Sequence, residues 1–169
     1  MTIPHEYRIN DSKSLKDLSK KTLSNYLVKD VLVVLNKAFL SCKLEESCNW
    51  SFELLISGQY DKFWDKVFSI VYKNININNP KLPSFILKRY QKFCNYFEKY
   101  ENKLELRNNQ VIRNLICEIC CIICHSVKLK QIGYTKMKDN DFNANYFTTK
   151  LKADKDSYIN DKVKFGDPP

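Results

Sequence analysis

The stretch RNNQVIRNLICEICCIICHSVK, residues 107–128, decides the fold. From Leu115 to Cys124 it is apolar on nearly every side of a helix. Such a helix has almost no polar face to present to water, so it is expected at the centre of a bundle. Its longest unbroken apolar run, Ile119–Cys124, is much shorter than the roughly 20 residues that span a bilayer. The sequence therefore predicts a buried helix and no membrane segment.

Four further helices are predicted before it from apolar residues at helical spacing. The first follows a possible cap at Asp11 or Ser12, and the second ends at Gly58, because glycine readily takes the left-handed conformation at a helix end. The predicted spans are about 15–42, 44–58, 60–71 and 83–100.

The motif NININNP, residues 74–80, interrupts this pattern. Asparagine favours turns, and Pro80 disfavours helical backbone at the residue before it, so a connection is expected here. We expect Ile75 and Ile77 to tuck into the core from this loop. Pro83 then falls in a first helical turn, where its missing N–H does no harm.

Periodicity fades after Lys128, where charges, aromatic residues and turn formers mix. We therefore expect a helical domain over residues 1–128 and an extended or partly disordered arm over residues 129–169. The predicted fold class is all-α, a compact bundle of about five main helices.

Charge and cysteine content narrow the class of protein. The 28 Lys and Arg against 19 Asp and Glu give a formal charge of +9, which favours polyanionic partners such as nucleic acid or an acidic protein surface, or else serves solubility alone. Seven cysteines are an odd number, and the polar amino end lacks a secretory pattern. Reduced thiols and an intracellular protein are the expectation.

The motif inventory argues against catalysis. The sequence contains no phosphate loop, dinucleotide-binding turn, nucleophile elbow or zinc-protease motif. With only three glycines, a backbone cradle for phosphate is improbable, and the two histidines, His5 and His125, lie far apart in sequence. We predict a protein that is not an enzyme and takes no cofactor.

One cluster has the residue types of a metal site. It consists of Cys117, Cys120, Cys121, Cys124 and His125. Zinc requires ligands arranged tetrahedrally, whereas residues spaced i, i+3, i+4 and i+7 line one stripe of a single helix and cannot surround an ion. Free cysteine is also among the most buried side chains. Core packing is the preferred interpretation and a thiol-bound metal is the alternative.

A row of lysines gives the leading hypothesis for binding. Lys81, Lys88, Lys92, Lys99 and Lys103 recur at intervals of 7, 4, 7 and 4 residues along the fourth helix. Such a row can follow a phosphate backbone, with Lys73, Arg89 and Tyr90 as further contacts. The alternative is an ordinary solvated helix face.

Aromatic residues suggest self-association. We expect the surface around Trp50, Phe63 and Trp64 to exceed what five helices can cover, so that part of it is buried between subunits. A homodimer or tetramer is the corresponding prediction.

A resemblance adds a functional expectation. In order and spacing, residues 34–80, VLNKAFLSCKLEESCNWSFELLISGQYDKFWDKVFSIVYKNININNP, resemble the carboxy-terminal helical region of the MgsA/RarA group of AAA+ proteins, which are relatives of clamp loaders that act at stalled replication forks. The resemblance extends over about residues 35–128 and concerns helical structure more than activity. The sequence has no counterpart of the family's ATPase domain.

Individual positions carry this resemblance. Glu45 and Glu46 match a charged turn, Trp50 the aromatic position of the second helix, Ser57-Gly58 a small-residue break, and Asn79-Pro80 a closing turn, while residues 124–128 look like the end of a later helix. The family's acidic turn with glycine is replaced by residues 73–76, KNIN, and Val127 stands where the family has proline.

The resemblance implies a stand-alone oligomerisation or collar-like module without ATP hydrolysis, with a large DNA virus as a plausible source. The leading hypothesis is a non-enzymatic accessory factor in DNA replication or repair that binds nucleic acid or a replication protein. The rival is a structural or virion-associated interaction protein. The expected location is the nucleus or cytoplasm, or a viral factory or virion if the source is viral.

Overall fold

A computed structural model describes residues 7–129. The α-helices are α1 Val28–Leu40, α2 Leu44–Ile56, α3 Tyr60–Ile70, α4 Leu82–Phe97 and α5 Gln110–His125; a π-helical turn, Val71–Ile75, extends α3, and a 3₁₀ helix, Lys103–Asn108, precedes α5. Across residues 7–129, the β-type pairing is one isolated bridge between Lys21 and Leu27. The prediction of an all-α bundle of about five main helices is confirmed.

The helix α5 packs against α1, α2 and α4 and supplies much of the core. Its buried residues are Ile112, Leu115, Ile116, Ile119, Cys120, Ile123 and Cys124. Asn109 caps its start, because the Asn109 side-chain oxygen accepts from the backbone N–H groups of Val111 and Ile112. The central position predicted for this helix is confirmed.

The predicted end of α2 is confirmed as well. Gly58 has φ +69°, in the left-handed region where glycine avoids a steric penalty, and the helix itself ends at Ile56. A side chain at this position would collide with Leu15 and approach Leu104 at 3.0 Å. The glycine therefore allows both a backbone turn and close packing.

The predicted start of α1 is wrong. The helix begins at Val28, and the residues between position 15 and the helix form turns, with Asn25 at φ 67°. Neither Asp11 nor Ser12 caps it, since its cap residue is Leu27. Ser, Thr and Asn at positions 19, 22, 24 and 25 offer local hydrogen bonds that compete with a helical backbone.

Polar side chains of α2 and the residues just after it hold these turns in place. Glu53 accepts hydrogen bonds from Ser24 N at 3.0 Å and from Ser24 Oγ at 2.9 Å. Ser57 Oγ accepts from Leu23 N at 2.8 Å, and Gln59 Nε2 donates to the Leu18 carbonyl at 2.7 Å. The chain before α1 is therefore fixed by long-range hydrogen bonds.

The expected break at residues 74–80 is only partly as predicted. Helical backbone continues through the π-helical turn, where Ile75 is buried, but Ile77 is 63% exposed, so the prediction that it enters the core is wrong. Asn74 exchanges two hydrogen bonds with Leu129, through its carbonyl at 2.7 Å and its side-chain amide at 3.3 Å. The asparagines of this region thus secure the chain that follows α5.

The start of α4 agrees with the sequence, because Pro83 lies in its first turn. The helix ends at Phe97, short of the predicted Tyr100, and the 3₁₀ helix that follows was not predicted. Asn102 caps that short helix by accepting from Leu104 N.

The predicted arm over residues 129–169 lies outside the described residues except for Leu129. In the part of the chain that the structure describes, no helix combines the length and the apolar character that crossing a membrane requires.

Candidate nucleic-acid interface

The outer side of α4 carries the predicted lysine row. We call Lys81, Lys88, Lys92 and Lys99 the basic face. All four residues are exposed. The opposite side of the helix buries Leu82, Ile86 and Phe93. Helical spacing at 100° per residue places Lys88 and Lys92 together on α4, and burial of the apolar side directs them to solvent. Lys81 and Lys99 flank the two ends of the helix.

Lys73 lies on the π-helical turn, which packs against α4. It is exposed like the basic face. It therefore remains a candidate for contact with a polyanion.

Arg89 has a defined partner that sequence reasoning missed. Its Nε donates to Glu118 Oε2 at 2.9 Å and its Nη2 donates to Glu118 Oε1 at 2.7 Å, and the guanidinium lies 4.4 Å from the centre of the Phe85 ring. The hydrogen bonds with Glu118 raise the pKa of Arg89 above its already high ordinary value. Arg89 thus links α4 to α5, and a phosphate would have to compete with a bidentate carboxylate.

Lys103, the last member of the predicted row, closes the end of α4. Its Nζ donates to the carbonyl oxygens of Phe97 at 2.7 Å and Tyr100 at 2.6 Å and lies 4.5 Å from the centre of the Phe97 ring. A cation is favoured at this end of a helix, where carbonyl groups lack partners. Lys103 is therefore occupied in a structural contact. In the basic face, Lys99 Nζ lies 5.4 Å from the centre of the Tyr96 ring.

The basic face has no internal counter-charge among residues 7–129. The ion pairs formed there are Lys43–Glu46 and Arg89–Glu118. The pKa of Tyr90 is raised chiefly by Cys94, then by burial and by the negative charges of Asp61 and Asp65 in α3. Tyr90 lies nine residues after Lys81 and therefore on the opposite side of the helix, so the effect of these two carboxylates is seen on the side away from Lys81. The lysines are therefore positive charges exposed to solvent.

The three predicted interface aromatics do not form one surface. Phe63 and Trp64 are each 2% exposed and lie in the core, where Trp64 packs against Phe68, Tyr90 and Phe93. The core therefore covers these two side chains within the chain itself. Trp50 is half-buried and meets the exposed Tyr26 edge to face, with ring centres 5.4 Å apart.

The cysteines of α5 divide between the core and its edge. Cys120 and Cys124 are buried, whereas Cys117 and Cys121 are half-buried. Cys120 Sγ donates to Ser51 Oγ at 3.2 Å, and Cys124 Sγ donates to Ser47 Oγ at 3.3 Å. Within residues 7–129, no three His, Cys, Asp or Glu side chains are grouped so that they could hold a metal ion.

Cys48 of α2 has a lowered pKa that no pattern in the sequence indicated. Interaction with the Cys120 thiol, and more weakly with the Cys117 thiol, lowers the pKa of Cys48 to about 7 against the opposing effect of burial. The pKa of Cys120 is raised by the same interaction and by burial. Cys48 is thus the thiol expected to ionise first in this seam between α2 and α5.

No protein-family model, curated protein or solved structure matches this chain. The resemblance to the MgsA/RarA group stays a prediction.

Proposed function

We propose that this chain is a non-enzymatic accessory module of DNA replication or repair that binds nucleic acid through the basic face of α4. One observation carries the proposal. Four exposed lysines lie on one side of α4 and at its two ends, the other side of this helix is fixed in the core, and no described carboxylate pairs with the lysines. A rigid row of unpaired cations is suited to a regular row of phosphates.

The dimensions of the row fit this function. At 1.5 Å per residue, Lys81 and Lys92 are separated by roughly 16 Å along α4. Phosphates on one strand of duplex DNA follow each other at roughly 3.4 Å along the axis, so the lysines reach about five of them. Binding through such contacts is insensitive to sequence. The role in replication or repair, rather than in another process on nucleic acid, rests on the MgsA/RarA resemblance.

Salt-dependent DNA binding tests the proposal. We expect a log-log slope of about −3 to −5 for duplex DNA, since each neutralised phosphate contributes about −0.9. Replacing Lys88, Lys92 and Lys99 by Gln is expected to make the slope less steep by about 2 to 3 units.

A matched control separates position from net charge. Lys21, Lys29 and Lys37 are also exposed but lie before or on α1, and replacing them by Gln removes the same three charges. We expect this variant to keep most of the slope. Equal loss in both triple variants, or no retention of DNA by the wild-type protein at about 50 mM salt, would refute the proposal.

A second candidate function is that of a protein-protein interaction module. It is favoured by the aromatic pair of the exposed Tyr26 and the half-buried Trp50, and by Leu27, which follows Tyr26 in sequence and is 40% exposed. Self-association through this pair would give the predicted homodimer or tetramer. We expect sedimentation to show a larger species that Trp50→Ala dissociates. A 20 kDa species at micromolar concentration would exclude self-association.

A further inference from the structure

A polar cleft lies away from the basic face, between the chain before α1 and the 3₁₀ helix. Its walls come from residues 8–16 on one side and from residues between Tyr100 and Asn108 on the other, and its volume is about 1160 Å³. This volume lies just above the roughly 300 to 1,000 Å³ that is usual for small-molecule sites. The cleft therefore has room for a ligand.

Arg107 stands at this cleft with an unmet hydrogen-bonding requirement. The residue is 5% exposed, and its Nη2 donates to the Asp11 carbonyl at 3.1 Å. Its Nη1 is buried and has no hydrogen-bond partner among the described residues. A guanidinium is almost never fully buried without a partner, because both the charge and the orphaned donor are costly.

The two walls are tied together around Arg107. Asn108 pairs with the backbone of Ile9, accepting from its N–H at 2.9 Å and donating to its carbonyl at 3.0 Å. Arg113 donates from Nη2 to the Tyr7 carbonyl at 3.1 Å and from Nε to the Arg107 carbonyl at 2.8 Å. These bonds hold the chain before α1 across the 3₁₀ helix, so the cleft is a built feature.

The charges lining the cleft favour an anion. The charged lining residues are Arg8, Lys13, Lys16, Arg107, Asp11 and Glu105. Four cations against two carboxylates leave a surplus of two positive charges. Asp11 Oδ1 already accepts from Lys13 N at 2.7 Å, and no hydrogen bond joins Glu105 to Arg107. A phosphate monoester, with a charge of about −1.5 to −2 at pH 7, matches this surplus better than a single carboxylate does.

We propose that this cleft binds the phosphate group of a small ligand, with Arg107 as the buried anchor and Arg8, Lys13 and Lys16 at the rim. The planar guanidinium donates two parallel hydrogen bonds to phosphate oxygens, and the exclusion of water strengthens them. Because Nη1 is shut off from water, binding includes a small movement of residues 8–16, which contain no helix.

The test uses the full chain and measures heat of binding and thermal stabilisation at constant ionic strength. The probes are inorganic phosphate, adenosine 5′-monophosphate, adenosine and acetate. We expect phosphate or the nucleotide to bind with a Kd of about 1 mM or tighter, and adenosine and acetate to have no effect. Stronger binding of the nucleotide identifies a phosphorylated metabolite as the ligand, and equal binding identifies free phosphate.

Two variants connect binding to the cleft. Arg107→Lys is expected to weaken phosphate binding at least about tenfold, because a lysine cannot make the bidentate contact. In case that variant does not fold, the double variant Arg8→Gln/Lys16→Gln changes only exposed cations of the rim and is expected to weaken binding about threefold or more.

The basic face supplies the control. Lys88→Gln/Lys92→Gln should leave phosphate affinity unchanged while it weakens DNA binding, so failure of one proposal is distinguishable from failure of the other. The phosphate proposal is overturned if phosphate stabilises the protein no more than chloride at equal ionic strength. It is overturned equally if acetate binds as well as phosphate, or if the rim variant retains full affinity.

Discussion

Different forces hold two regions of the molecule in place. One region is the bundle formed by α2 and α5, and the other is the chain before α1, residues 7–27. The two helices meet through apolar residues that recur at helical spacing, such as Leu54 and Ile119, both fully buried. The chain before α1 is held by hydrogen bonds from side chains distant in sequence, including Glu53 and Asn108, in addition to the buried side chain of Leu18. The first kind of contact is visible as a period in the sequence, whereas the second depends on partners that only the fold brings together.

The largest expected effect tests the apolar side of this comparison. Ile119→Ala should lower the free energy of unfolding by about 2 to 5 kcal/mol, because it leaves a cavity at a fully buried site. Ile77→Ala is the matched control, since Ile77 is 63% exposed and should lose less than about 0.5 kcal/mol. Urea unfolding of both variants measures the difference. Equal losses would place Ile77 in the core and contradict the structure.

The next effect tests the hydrogen-bonded side. Glu53→Ala should cost about 2 kcal/mol, because the backbone N–H and hydroxyl of Ser24 lose their charged acceptor. Glu101→Ala removes an exposed carboxylate and is expected to cost less than about 0.5 kcal/mol. Amide hydrogen exchange should show the Glu53 variant losing protection at Ser24 while α5 keeps its protection. If protection at Ser24 is unchanged, other contacts hold these turns.

A smaller effect is expected where the two regions touch. Gly58→Ala should cost about 1 to 2 kcal/mol, since the left-handed backbone disfavours alanine and the new methyl group collides with the Leu15 side chain. Leu15 is 41% exposed and belongs to the chain before α1. In the double variant Gly58→Ala/Leu15→Ala, the collision is removed and the backbone penalty is retained. Additive losses in this pair would show that the collision contributes nothing.

The same division explains what the sequence could predict. Gly58, Pro83 and the apolar stripe of α5 act through local backbone preferences or periodicity, so the ends of α2, the start of α4 and the central helix were predictable. The bond from Ser24 to Glu53 joins residues 29 positions apart, and no local pattern records it. This explains why the sequence predicts the start of α1 too early. Leu15 and Leu18 fit a helical period, although their polar neighbours form hydrogen bonds that a continuous helix does not provide.

The candidate site shows the same limit. Exposure of Lys88 and Lys92 follows from their register with the buried residues of α4, and the lysine spacing revealed it. The engagement of Arg89 by Glu118 and of Lys103 by backbone carbonyls depends on neighbouring elements. No pattern in the sequence singles out Arg107, because its significance lies in a buried Nη1 that has no hydrogen-bond partner among the described residues.

The smallest expected effect concerns a polar seam inside the bundle, where Cys48 of α2 meets Cys120 of α5. Interaction with the Cys120 thiol, with a weaker contribution from Cys117, lowers the pKa of Cys48 to about 7. The reactive thiolate of Cys48 is therefore lost as pH falls through 7, whereas ionisation is nearly complete by about pH 8. Alkylation of Cys48, followed by peptide mass mapping, should therefore rise with a midpoint near pH 7. Cys120→Ala removes the main cause of the lowered pKa and should move that midpoint toward the ordinary value for cysteine, about 8.5. A midpoint above 8 in the wild-type protein would show that the Cys120 and Cys117 thiols do not stabilise the thiolate of Cys48.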